Sequence, residues 1–137
     1  SKLYKNLAGC PEKNAVARHF GVDSDVLATW LECLSFVRNV CAHHCRLWNR
    51  NLPITPVFPT KPLAVWLSEN PKLKANRIYT ALVLIRYLLG RIIPATTFAT
   101  RLSDLLDMYP AMPTERMGFV PGWRDEPLWS GKPRTSA

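Results

Sequence analysis

The chain has 137 residues, 47% of them hydrophobic, and a formal net charge of +8 with a pI near 9.7. That length suits one domain and buries roughly two thirds of the unfolded surface, so no disulfide or metal staple is required. The charge favours an acidic partner, nucleic acid first and anionic membrane second. Eleven of the eighteen basic residues are Arg, the side chain better suited to bidentate phosphate contacts.

In chain order, "SKLYKNLAG" predicts a short helix stopped by Gly9. "PEKNAVARHFG" predicts another, with Pro11 in its first turn, His19 at its last turn as a dipole partner, and Gly21 just past its end. The longest helix is expected over 24–47, capped by Asp23 or Ser24. Along it Leu27, Trp30, Leu31, Leu34, Val37, Cys41 and Cys45 recur at helical spacing. "NLPITPVFPTKP" holds four Pro in twelve residues, which no helix survives, so an extended loop follows. "LAVWLS" can make one or two helical turns. Residues 76–93 predict a helix with apolar residues on most sides, central in the fold. Its apolar run is broken by Arg86, Gly90 and Arg91, which makes it a buried helix and not a membrane span. Pro94 breaks it, and "ATTFATRLSDLLDMY" is amphipathic. The tail is rich in Pro and Gly but carries Phe119, Trp123 and Trp129, so it is expected to be ordered by aromatic packing, with residues 131–137 loose. Residues 1–130 read as one all-α domain. The chain starts at Ser1 without Met and is read as a piece of a longer protein.

The stretch "RNVCAHHCRLWNR", residues 38–50, concentrates three Arg, two His, two Asn and a Trp. On a continuous helix Arg38 lies beside the apolar stripe, while Asn39, His43 and Arg46 share the adjoining face. A guanidinium, an amide and an imidazole then border one surface. An imidazole can exchange a proton at neutral pH, and a guanidinium can clamp phosphate oxygens. No carboxylate lies nearby for a hard metal ion. The bland alternative is a crowded helix end whose Arg and His make structural hydrogen bonds.

Arg38, four intervening residues and His43 also look like the Arg-x(4–6)-His motif of the HEPN superfamily of helical ribonucleases. The longer string "LSFVRNVCAHHCRLWNR" resembles the signature of Abi-like (Abi-D/Abi-F type) abortive infection proteins, bacterial phage-defence factors. "SKLYKNL", "AVARHFGV", "ERMGF" and "EPLW" support it, and the chain resembles the C-terminal half of such a protein. The family more often has Ser at the position of Cys45. The resemblance implies a HEPN-like helical bundle and a metal-independent endoribonuclease that needs no cofactor. It implies that His43 is general base or acid, that Arg38 stabilises the phosphorane, and that Asn39 orients one of them or binds phosphate. Composite sites in that superfamily imply a homodimer. RNA is the expected partner, with an RNA or protein antitoxin as a further one; the alternative function is a non-catalytic RNA- or protein-binding helical module, such as one partner of a toxin–antitoxin system.

Rival readings start from the same residues. Cys41, His44 and Cys45 lie within one helical turn and could share zinc, but they lack the paired knuckle spacing of a structural site, and Cys33 and Cys10 do not supply it. The four Cys read as reduced thiols of a cytoplasmic protein. Cys41 and Cys45 read as small core residues rather than nucleophiles. His44 reads as a packed histidine or a phosphate contact rather than a catalyst. Arg46 and Arg50 read as phosphate contacts, and Trp48 reads as core in preference to a base-stacking residue. No metal and no membrane contact is expected.

Overall fold

The computed structural model describes residues 2–7, 9–68 and 75–132. Among them the chain is all-α, with no strand: α1 (Lys2–Asn6), α2 (Pro11–His19), α3 (Ser24–Ala42), α4 (Ile78–Ile92), α5 (Phe98–Met108) and α6 (Pro127–Ser130), plus 3₁₀ turns at Thr114–Met117 and Trp123–Asp125. α3 packs against α2 and α4, and α4 also packs against α6.

α2 has its expected bounds for the expected reasons. Pro11 opens it, Glu12 sits in its first turn, and Arg18 and His19 sit in its last, the charge order that a helix dipole favours. It ends with Gly21 at φ +72°. The Gly21 N–H reaches Arg18 O at 3.0 Å and the Val22 N–H reaches Ala17 O at 3.1 Å. This pair of bonds satisfies carbonyls that the helix end would otherwise leave open. A left-handed residue is needed between them, and glycine adopts that conformation without Cβ strain.

α3 is the organising helix. Its buried stripe is Val26, Leu27, Trp30, Cys33, Val37 and Val40, rotated from the expected one so that Leu31 and Leu34 are only half-buried. Trp30 is 0% exposed. Its indole stacks on Trp66 at 5.6 Å and meets Tyr87 edge-on at 5.6 Å, while Nε1 donates to Val57 O at 2.7 Å. One residue earlier, Thr29 Oγ1 accepts the Val57 N–H at 3.0 Å and donates to Val26 O. Both backbone polar groups of Val57 are therefore satisfied by α3. That is how the proline-rich loop, which has no helix or strand of its own, stays docked.

Residues 63–68 make no helical turn. Tertiary contacts outweigh the local pattern here: Trp66 is held flat against Trp30, and the Ser68 N–H donates to a Glu126 carboxylate oxygen at 2.6 Å. α4 buries Ile78, Tyr79, Thr80, Ala81, Val83, Leu84, Tyr87 and Leu88, as expected of a central helix. No helix among the described residues is long and apolar enough to cross a membrane. α5 buries Leu102 and Leu106. The tail is pinned as expected, because Phe119, Trp123 and Trp129 are all buried. It is more helical than the Pro and Gly content suggests. Trp129 Nε1 donates to the Tyr79 hydroxyl at 3.1 Å. Of the stretch expected to be loose, residues 133–137 lie outside the described residues.

Two outcomes follow for stability. Trp30→Phe keeps an aromatic ring but leaves the Val57 carbonyl without its donor, and should cost about 1–3 kcal/mol. Trp30→Ala should cost about 3–5 kcal/mol, a large part of the ~5–15 kcal/mol typical of a domain. Urea unfolding checks both.

Alkaline pH should also destabilise the fold. Burial pushes the Cys33 thiol from 9.0 up to about 11. Burial, aided by Glu126 and opposed by the Trp129 hydrogen bond, pushes the Tyr79 hydroxyl from 10.0 up to about 12. Over these windows the unfolded chain has released protons that the folded chain retains. Stability therefore falls as pH rises from 9 to 11 for Cys33 and from 10 to 12 for Tyr79, on the order of 2 kcal/mol per group. Urea midpoints measured against pH should show this decline, and Cys33→Ala should delay its onset by about one pH unit.

Candidate functional site

The arginine-rich stretch does not continue the helix. α3 ends at Ala42 with His43 as C-cap, five residues before the expected end at 47. The reason is visible in the hydrogen bonds. The His44 N–H reaches Cys41 O at 3.0 Å and the Cys45 N–H reaches Val40 O at 3.0 Å. This is the same closing motif that ends α2, with His44 at the position that Gly21 occupies there. His44 adopts φ +54°, and it alone among the described non-glycine residues has a positive φ. A left-handed L-residue costs roughly 1–2 kcal/mol.

Ending the helix here rearranges the expected site. Arg38 and Asn39 stay on the last turns of α3, and His43 follows them at the cap. All three are exposed. Arg38 is exposed and lies off the buried stripe, which runs through Cys33 and Val40 in place of Leu34 and Cys41. Its Nη1 donates to Asn39 Oδ1 at 2.9 Å, so the amide orients the guanidinium. The His43 N–H donates to Asn39 O at 3.0 Å. Arg46 lies beyond the helix and does not share a helical face with Asn39 and His43. His44 is exposed rather than packed, and Cys41 and Cys45 are exposed rather than core. The Cys45 thiol donates to His43 O at 3.6 Å. No group of three or more His, Cys, Asp or Glu among the described residues could hold a metal ion.

Beyond the cap, Leu47 to Arg50 form a turn closed by the Arg50 N–H on Leu47 O at 3.0 Å. Leu47 packs against the core. Trp48 is 37% exposed, so the expectation that it is core does not hold. Arg77, at the start of α4, donates from Nη1 to Asn49 O at 3.2 Å and to Asn49 Oδ1 at 3.1 Å. Sequence reading missed Arg77, which is separated from the motif by the proline-rich loop, and no local pattern links them. Gly118 backs Arg77 closely: a Cβ there would sit 2.7 Å from Arg77 Cβ, and its φ is +92°. Any side chain at 118 would displace Arg77.

The electrostatics are one-sided. Between residues 33 and 103 the chain carries ten basic residues and one acidic one, Glu69. The ion pairs among the described residues, Lys5–Glu32, Lys13–Asp25 and Arg124–Asp107, all lie elsewhere. Arg38, Arg46 and Arg50 are exposed and enter none of these ion pairs.

Residues 1–49 of the chain match the family model described as Abi-like protein, which supports an Abi-like assignment. The matched segment runs from α1 through the whole of α3 and its cap. No curated protein and no solved structure matches the chain.

His44→Gly should stabilise the protein by about 1 kcal/mol, because glycine fits the left-handed position without strain. His44→Ala should bring no such gain, since alanine keeps the Cβ that creates the strain. A higher melting temperature for His44→Gly than for His44→Ala checks this.

Proposed function

We propose that this protein is a phage-defence factor of the abortive infection type, acting in the cytoplasm as a metal-independent endoribonuclease of HEPN character. The observation that carries the reading is the exposed Arg38–Asn39 pair, hydrogen-bonded to each other, one turn before an exposed His43 in a span nearly free of acid. The Abi-like match over residues 1–49 contains all three.

The chemistry these residues can perform is transesterification. A ribose 2′-oxygen attacks the adjacent phosphorus while the bond from phosphorus to the 5′-oxygen breaks. The products are a cyclic phosphate and a free 5′-hydroxyl. His43 removes the 2′-hydroxyl proton or supplies one to the leaving 5′-oxygen. Arg38, oriented by Asn39, neutralises charge that develops on the phosphorane oxygens. Arg46, Arg50 and His44 hold flanking phosphates. Both proton transfers need a group, so a second copy of the motif facing the first across a two-fold axis completes the site, and the working form is a homodimer. A second reading is favoured by Leu105, Met108 and Tyr109, which are exposed at the end of α5 at spacings that share one helix face. In that reading the domain is a non-catalytic module that binds a protein, such as one partner of a toxin–antitoxin pair.

His43→Ala should lower cleavage of a labelled RNA by about 10²–10⁴-fold, and Arg38→Ala should do likewise. Both should melt as wild type does, since exposed substitutions of this kind rarely exceed ~0.5 kcal/mol. Cleavage should persist in EDTA, the product should end in a cyclic phosphate, and light scattering should give a dimer. Equal cleavage by wild type and His43→Ala, or loss of activity with chelator, would sink the assignment.

A further inference from the structure

We infer that Trp48 is a stacking platform for an unpaired base, so that the RNA taken by this surface is single-stranded around the contact. The inference rests on the RNA reading above and adds its substrate class.

Four of the five tryptophans have aromatic neighbours and are buried: Trp30 and Trp66 stack on each other, and Trp123 and Trp129 meet edge-on. Trp48 is the most exposed of the five, at 37%, and no ring contact to it occurs among the described residues. The backbone that carries it is nonetheless tied down. The 47–50 turn is closed by its own hydrogen bond, and Leu47 is anchored in the core. Asn49 is held by Arg77 through two bonds. Just beyond, Leu52 is buried and its N–H donates to Asn76 O at 2.6 Å. A backbone tied at these points gives up little further freedom when a ligand binds at Trp48.

The surroundings select the ligand. Arg46 and Arg50 flank Trp48, are exposed, and face no carboxylate in an ion pair among the described residues. A partly exposed indole with an exposed arginine two residues to either side in the sequence suits a nucleobase and its neighbouring phosphates. Bases inside a duplex are already stacked and offer no free face, whereas single-stranded bases can splay onto an aromatic ring. A duplex would satisfy the arginines and leave the indole uncovered.

The test measures binding of the full chain to a fluorescent oligouridylate and to a hairpin RNA of equal charge whose strands are joined by a non-nucleotide linker, so that every base is paired. Trp48→Ala should weaken oligouridylate binding about 5–150-fold, leave hairpin binding unchanged, and retain the wild-type circular dichroism and melting point. Trp48→Phe should restore most of the affinity while abolishing the part of the tryptophan quenching that accompanies binding. If Trp48→Ala binds oligouridylate as wild type does, or loses hairpin and oligouridylate equally, the stacking role is wrong even where cleavage survives. If binding depends on Trp48 but no cleavage occurs, this inference holds and the ribonuclease assignment falls. If wild type binds neither RNA, both fall, and the exposed indole belongs to a protein interface.

Discussion

The placement of the proline-rich loop against α3 and α4 depends on Trp30. Its ring joins α3 to Trp66 and to Tyr87 of α4, and its N–H, with the Thr29 hydroxyl, fixes Val57 in a loop that cannot form regular structure. A segment with four prolines has few backbone donors and no ladder to join, so only side chains from elsewhere can hold it. Once Val57 is fixed, Leu52 on one side is drawn into the core and Trp66 on the other is set against Trp30. The chain then enters α4 at a defined point, where Asn76 and Arg77 can reach back to the turn after α3.

The end of α3 is a local counterpart to that long-range constraint. The same two hydrogen bonds terminate α2 and α3, but α2 places glycine at the left-handed position and α3 places His44. Stability alone favours glycine there. Strained backbone in folded proteins clusters where side-chain chemistry has a use, and His44 stands next to His43 in an exposed basic stretch. The stop also sets geometry. It removes Arg46, Trp48 and Arg50 from the helix axis and gives them to a turn, which is why one continuous sequence motif becomes two surfaces, a helix end and a loop tip.

Much of the fold was legible in the sequence because the signals were strong and local. Pro11 with Gly21 bounded α2, Pro94 ended α4, and the aromatic residues of the tail announced their own burial. The error at α3 has an equally local cause. Cys41 and Cys45 continue a helical spacing, and nothing in "CAHHC" is a glycine, so the stop is carried by a non-glycine residue, a class in which positive φ is uncommon. Shifting the stripe from Leu31, Leu34 and Cys41 to Val26, Cys33 and Val40 also moved Arg38 from the core margin into solvent. Residues 63–68 failed for the opposite reason: a weak helical pattern met strong distant partners in Trp30 and Glu126. In the site, the motif residues were readable as a string, and Arg77 was not, because its contact with Asn49 exists only in three dimensions.

The family match ends at residue 49, but the arrangement of the residues it contains does not end there. The contacts that seat Trp30 come from Val57, Trp66 and Tyr87. Asn49 is held by Arg77, and Gly118 leaves room for Arg77 to lie where it does. Gly118 in turn is followed by Phe119, whose ring packs on Tyr79 at 4.6 Å. A path of contacts thus runs from the aromatic tail through the start of α4 to the turn that carries Trp48. The helix-end residues Arg38, Asn39 and His43 are set by α3 itself, and the loop-tip residues are set by the tail. Changes in the tail should therefore reach the loop tip first and leave the Arg38–Asn39 hydrogen bond intact, because that bond spans adjacent residues of one helix.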